Sequence, residues 1–124
     1  MTPHVSIEKI DCVATADPDE WRCTWMVSNS SDAPLNVAEA WVPHGRFRGE
    51  GRVALGLTVE PGQTAPITLR IRTVEPSGAI VENAFLILRA TCAAGEWRIF
   101  VRMSVQFEPE PRPRCMLIST QRLH

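Results

Sequence analysis

Apolar and polar residues alternate one by one through four stretches of this 124-residue chain, which begin at Trp21, Val53, Ile67 and Ile99. Alternation with a period of two places one face of an extended strand in a core and the other face in solvent. No long stretch shows the 3.6-residue period of an amphipathic helix, and Gly-, Pro- and Asp-rich turn sequences separate the alternating segments. The pattern predicts an all-β fold, a single antiparallel sandwich of about seven strands.

The parity of the alternation predicts the register of two hairpins. A turn centred on Asp17-Pro18 sets Cys12 opposite Cys23, and a loop over Ala93 to Glu96 sets Leu88 opposite Val101 and Phe100 opposite Arg89. A tight hairpin at residues 60–63 would mix the apolar and polar faces, so we expect the flanking strands to bulge or to cross between two sheets. One core should contain Trp21, Trp25, Val37, Leu69, Leu88 and Val101.

Two segments carry a resemblance to a known family. VSNSSDAPLNV (27–37) and LTVEPGQTAPITLRI (57–71) resemble bacterial immunoglobulin-like domains of the CARDB and fibronectin-III-like kind. The resemblance covers about residues 5–107 and implies a seven-stranded immunoglobulin-like sandwich of the sort used for spacing, adhesion or partner binding. The antibody-type signature is incomplete, because the chain has no Tyr to form a tyrosine corner.

The chain is therefore divided into a sandwich, residues 1–107, and a Pro-rich extended tail, residues 108–124. Prolines at 109, 111 and 113 remove backbone donors and fix φ, so Glu108 to Arg114 should form a polyproline II spacer about 20 Å long. The apolar run at residues 115–119 is expected to form a strand or docking arm. That arm should pair either with the edge of its own domain or with the edge of a partner or second copy.

The cysteines and histidines do not form a recognisable reactive or metal-binding motif. Cys12, Cys23, Cys92 and Cys115 lack CxxC or CxxH spacing, so neither a metal nor another cofactor is expected. Cys12 and Cys23 could form a cross-strand disulfide, but buried reduced thiols are the preferred interpretation. Two of the three histidines lie near the termini, and no nucleophile motif is present. The chain is not expected to be an enzyme.

Loops at one pole of the sandwich are the predicted binding surface. The first, third and fifth connections should bring His44, Arg46 and Arg48 beside Glu82, Asn83 and the acidic residues of loop 16–20, although these charges could simply neutralise one another. Two further candidate regions are Arg89 and Phe100 on an outer sheet face, and the arm residues. The complete set of predicted partner-binding residues is His44, Arg46, Arg48, Glu82, Asn83, Arg89, Phe100, Met116, Leu117 and Ile118.

These features favour a non-catalytic accessory or assembly module that binds another protein or a second copy of itself. The alternative is a small ligand- or carbohydrate-binding module that uses the pole with His44, Arg46 and Arg48. A formal net charge of −1 argues against nucleic-acid binding. No stretch approaches the roughly 20 apolar residues of a membrane span, and the start has no secretory pattern. The expected location is the cytoplasm.

Overall fold

The computed structural model describes residues 3–93, 95–109 and 112–124, and within them it is all-β. Ten strands form two antiparallel sheets of five strands each. The strands are β1 (Val5–Ala14), β2 (Glu20–Asn29), β3 (Leu35–Trp41), β4 (Pro43–His44), β5 (Phe47–Gly49), β6 (Val53–Val59), β7 (Thr64–Arg72), β8 (Ile80–Cys92), β9 (Gly95–Glu108) and β10 (Arg112–Leu123). The described residues contain no helix long and apolar enough to cross a membrane.

The two sheets enclose a single core. The first sheet has the order β1-β2-β7-β5-β4 and the second has the order β10-β9-β8-β3-β6. Most inward residues of both sheets belong to one buried apolar cluster, and those of β6 at 53, 55 and 57 pack against it while partly buried. Of the six predicted core residues, Trp25, Val37, Leu69, Leu88 and Val101 are buried in it, and Trp21 packs against it while half-buried.

The prediction of seven strands was wrong, because three strands carry a weak or misleading sequence signal. β4 and β5 have only two and three residues, too few to show an alternating pattern. They form a small hairpin where the chain leaves the second sheet, joins the first and returns. β10 begins within the Pro-containing segment that predicts a spacer, and Pro113 is part of the strand.

One of the two predicted hairpin registers is confirmed. Cys12 lies opposite Cys23 in the β1–β2 pair. In the β8–β9 pair the predicted register was wrong by two residues: Leu88 lies opposite Ile99, and Phe100 lies opposite Ile87 rather than Arg89. Gly95, whose φ is 114°, already pairs with Cys92, so the connection is shorter than expected. A shift of two residues preserves the inward face, and the core is therefore unaffected.

The predicted crossing at residues 60–63 is confirmed, since β6 belongs to the second sheet and β7 to the first. The two segments that carry the family resemblance meet here at Asn29, which is buried. Its side-chain amide donates hydrogen bonds to the carbonyls of Ala33 and Val59, both at 2.9 Å. Its backbone accepts from the N–H of Gly62, at 2.7 Å. Asn29 thus ties the loop before β3 to the turn between the sheets.

The prediction of an extended spacer after β9 was wrong for the residues that the structure describes. Arg112 pairs with Glu108 and Pro113 with Phe107, so β10 turns back directly onto β9. Residues 110 and 111, which belong to the same predicted spacer, lie outside the described residues. A Pro is tolerated here because β10 is an edge strand and one side of it needs no ladder hydrogen bonds.

Candidate functional site

A cleft of about 680 Å³ lies where the chain crosses from the second sheet to the β4–β5 hairpin and back. The hairpin is anchored by Phe47, which is fully buried, and by a 2.9 Å hydrogen bond from the Gly49 N–H to the Val42 carbonyl. Gly51, at φ 102°, allows the return towards β6. The charged and aromatic residues in the wall of the cleft are Glu20, Trp41, Arg48, Glu50, Arg52, Arg70 and Arg72.

Positive charge is concentrated on the outer face of the first sheet, beside this cleft. Arg48 lies directly opposite Arg72 across β5 and β7, and Arg70 lies directly opposite Arg22 across β7 and β2. Like charges in directly opposite positions destabilise a sheet. Four of the arginines on these strands and on the adjoining loop line the cleft, which is a high local density for a chain with a net charge of −1.

The carboxylates near the cleft neutralise only some of these arginines. Asp17 accepts from Arg72 at 3.1 Å, and Glu39 lies 3.9 Å from Arg52. The guanidinium of Arg52 also lies 4.4 Å from the centre of the Trp41 ring, within cation–π range. Among the described residues, no ion pair within 4.0 Å involves Arg48 or Arg70. Both side chains therefore remain available to an anionic group.

The predicted pole residues His44 and Arg46 lie next to the cleft but bind within the protein. His44 Nδ1 accepts the backbone N–H of Arg46 at 3.0 Å. The Arg46 guanidinium donates to Glu75, at 3.0 Å from Nε, and this carboxylate raises the pKa of Arg46. The pairing of Arg46 with Glu75 agrees with the predicted alternative, in which the charges of the loops neutralise one another.

Thr73 brings the first and third loops of the pole together. It is buried, its hydroxyl donates to the Arg46 carbonyl at 2.7 Å, and its N–H donates to the Asp19 carbonyl at 3.0 Å. The backbone N–H of Asp19 and the guanidinium of Arg72 lower the pKa of Asp17. The acidic loop is thus held beside the arginines by local contacts.

Glu82 and Asn83 lie at a bulge of β8 and are not part of the cleft wall. Asn83 has φ 57°, a conformation that Asn tolerates better than most residues, and its side-chain oxygen accepts from Arg102 Nε at 2.9 Å. Both residues are exposed. The bulge therefore directs Asn83 to the second sheet rather than to the arginines.

The other predicted contact residues lie on the second sheet. Arg89 is paired with Glu39, at 2.7 Å, and lies 3.8 Å from Glu96. Phe100 is half-buried and packs edge-on against Phe85, with ring centres 6.2 Å apart. The arm residues Met116, Leu117 and Ile118 lie in the edge strand β10 and are 40–49% exposed.

Sequence reasoning found Arg48 but missed Trp41, Arg52, Arg70 and Arg72. Arg70 and Arg72 could have been found from the polar positions of β7, because both face outward at successive positions of that strand. Alternation alone identifies a core-facing strand and does not indicate that its outward face binds a ligand. Arg48 could not be connected with them because the pairing of β5 with β7 is a long-range contact with no local sequence signature.

Among the described residues, no group of three or more His, Cys, Asp or Glu side chains is arranged to hold a metal ion. Comparisons of the chain with protein-family models, with curated proteins and with solved structures found no match.

Proposed function

We propose that this chain is a non-catalytic immunoglobulin-like module that binds an acidic segment of another protein in the arginine-lined cleft. Two features of the fold support the immunoglobulin-like part. The order β1-β2-β7 matches strands A-B-E of such sandwiches, and β9-β8-β3-β6 matches strands G-F-C-C′. In this assignment the cleft and its arginines are displayed on loops and strands at one end of a rigid scaffold, as binding residues commonly are.

The observation that carries the proposal is the pair Arg48 and Arg70, which line the cleft without an ion-pair partner among the described residues. Each lies opposite another arginine, so the local field favours an anion. A carboxylate that enters the cleft would accept charge-assisted, bidentate hydrogen bonds. Such a contact would also relieve the like-charge repulsion between the strands.

A protein segment fits this site better than a sugar or a nucleic acid. One face of Trp41 is covered by the Arg52 guanidinium and is therefore not free for stacking on a sugar ring. Glu20 and Glu50 in the wall would repel the continuous phosphate chain of a nucleic acid but leave room for spaced carboxylates. The second candidate ligand is a small organic anion, which the volume of the cleft favours.

The test is a titration of the purified protein with a short synthetic oligoglutamate peptide at low and at high salt. We expect binding that weakens with salt and is lost in the double variant Arg48→Ala/Arg70→Ala. Arg98→Ala is a matched control, because Arg98 is an exposed strand arginine on the other sheet. An oligoglutamine peptide that binds equally well would contradict the proposal. Binding of phosphate or citrate without binding of oligoglutamate would identify the small-ligand alternative instead.

A further inference from the structure

Three cysteine thiols converge where β1, β2 and β10 meet. The sulfur of Cys12 in β1 lies 2.6 Å from that of Cys23 in β2 and 3.7 Å from that of Cys115 in β10. Cys12 and Cys23 are buried and Cys115 is half-buried. Cys12 is thus in contact with two other thiols, one from its neighbouring strand and one from the C-terminal strand of the opposite sheet.

A small cleft gives access to this cluster. It has a volume of about 170 Å³, and Cys12 and Cys115 both lie in its wall. Four charged residues also line it: Asp11, Glu108, Arg112 and Arg114. The Arg112 guanidinium is held there by a 3.3 Å hydrogen bond to the Cys12 carbonyl. A space of this size admits a molecule as small as hydrogen peroxide.

The electrostatics of the cluster distinguish Cys12 from its two neighbours. Hydrogen bonding with Cys115 and Cys23 lowers the pKa of Cys12 to about 5, and Arg112 adds to this effect. Burial and the nearby Asp11 carboxylate oppose it. The pKa values of Cys23 and Cys115 are raised by their hydrogen bonds with Cys12 and by burial. Of the three thiols in the cluster, Cys12 is therefore the one whose surroundings favour loss of the proton.

We propose that Cys12 is a peroxide-reactive thiol and that Cys23 and Cys115 are its two alternative disulfide partners. The Cys12 thiolate attacks one oxygen of hydrogen peroxide, the O–O bond breaks, and hydroxide leaves and takes up a proton to become water. Cys12 is thereby oxidised to a sulfenic acid. Cys23 or Cys115 then gives up its thiol proton and its sulfur attacks the Cys12 sulfur. The S–S bond forms as the S–O bond breaks, and the hydroxide that leaves takes up the released proton to become a second water. Two thiols are oxidised and one peroxide is reduced to two waters.

The choice of partner determines what the disulfide does to the fold. A Cys12–Cys23 bond joins neighbouring strands that already pair, so it adds little constraint. A Cys12–Cys115 bond closes a loop of about 100 residues and ties the edge strand β10 to the edge strand β1. The same two strands are otherwise joined by side-chain contacts, such as the 3.1 Å hydrogen bond from Arg122 to the Val5 carbonyl.

The test is treatment with hydrogen peroxide followed by disulfide mapping by mass spectrometry under non-reducing conditions. Cys92, which is not in the cluster, is first replaced by Ala, so that only the three clustered thiols remain. In that background the disulfide should contain Cys12. Cys23→Ala should leave a Cys12–Cys115 bond, and Cys115→Ala should leave a Cys12–Cys23 bond. Cys12→Ala should form neither bond and should consume peroxide about tenfold more slowly.

Two results would overturn the proposal. One is a map in which Cys12 remains reduced while Cys23 or Cys115 is oxidised, and the other is peroxide consumption at an unchanged rate in a folded Cys12→Ala variant. If that variant does not fold, the pH profile of peroxide consumption by the Cys92→Ala protein decides. The inflection should fall well below the ordinary thiol pKa of about 8.5. An inflection at that ordinary value would show that the reacting thiol is not activated by the cluster, and the proposal would be wrong.

Discussion

Arg22 and Arg70 occupy directly opposite positions on β2 and β7, on the outer face of the first sheet. The next outward pair along these strands, Thr24 and Thr68, has hydroxyl oxygens 2.9 Å apart. A threonine pair is therefore compatible with this face, and the arginine pair is not required by the sheet. Its electrostatic cost is consistent with a role in binding an anion.

Replacing Arg70 by Thr should raise the stability of the protein and weaken its binding of an acidic peptide. Because the substitution removes a like-charge pair, we expect the free energy of unfolding to rise by about 0.2–1 kcal/mol at low salt and by less at high salt. Oligoglutamate binding should weaken at the same time. The measurements are urea denaturation and peptide titration. Arg98→Thr is the control, since Arg98 lies opposite Arg89, which already has acidic partners. A strongly destabilised Arg70→Thr protein would show that Arg70 is structural.

Replacing Asn29 by Ala should destabilise the protein by about 3 kcal/mol. The substitution removes the side-chain donor from the buried carbonyl of Val59 and from the part-buried carbonyl of Ala33. Asn36→Ala is the matched control. Asn36 is exposed, and among the described residues its side chain accepts only from the Thr58 hydroxyl, so a change below about 0.5 kcal/mol is expected. Equal effects of the two substitutions in chemical denaturation would contradict the role assigned to Asn29.

The two tryptophans of β2 should differ in their contribution to stability. Trp25 is fully buried and its indole N–H lies 3.2 Å from the sulfur of Met103 in the opposite sheet, whereas Trp21 is half-buried. Trp25→Ala should cost about 3–5 kcal/mol, because it leaves a large cavity in the core. Trp21→Ala should cost clearly less, since solvent can fill part of the space. Thermal denaturation followed by circular dichroism measures both effects.

Hydrogen exchange should show that β10 is a strand in the isolated protein. Its pairing with β9 includes Leu117 opposite Met103 and Ser119 opposite Arg102. We therefore expect several amides between Arg114 and Arg122 to exchange more slowly than the amides of the exposed loop residues 50–52. Exchange at random-coil rates throughout β10 in the free protein would mean that this strand does not pair with β9 in solution.

Asp17 should contribute to the loss of stability in acid. Its pKa is lowered in the folded protein, first by the Asp19 N–H and then by Arg72. A carboxylate whose pKa is lower in the folded than in the unfolded protein stabilises the folded state fully at pH values above its unfolded pKa of about 3.9. This contribution disappears as the pH falls through the pKa of the folded state. Asp17→Asn should therefore flatten the dependence of stability on pH below about 4. Arg72→Gln removes the smaller of the two contributions to the lowered pKa of Asp17. It should therefore flatten the pH dependence of stability less than Asp17→Asn does.

The period-two alternation was sufficient to predict the all-β class and most of the core, because the side chains of a strand point alternately to its two faces. The buried positions of Trp25, Val37 and Leu88 follow from it directly. Parity also predicted the pairing of Cys12 with Cys23, since a local hairpin leaves few registers that match apolar faces. Where two registers preserve the same face, as in the β8–β9 pair, the alternation could not distinguish them; the structure pairs Cys92 with Gly95.

The conformation of the tail and the set of residues that line the cleft depend on contacts between residues far apart in the chain. Prolines in 109–113 indicated a spacer, but only the tertiary structure provides the edge of β9, on which a Pro-containing strand can pair from one side. The arginines of the cleft come from β5, β7 and the loop before β6. The alternation of apolar and polar residues does not predict which of these strands become neighbours. By itself, the sequence determined which side of each strand is buried, because burial follows from the local alternation of side chains. Only the tertiary structure decided which outward-facing charges and thiols meet, because that depends on how the strands are ordered in the two sheets.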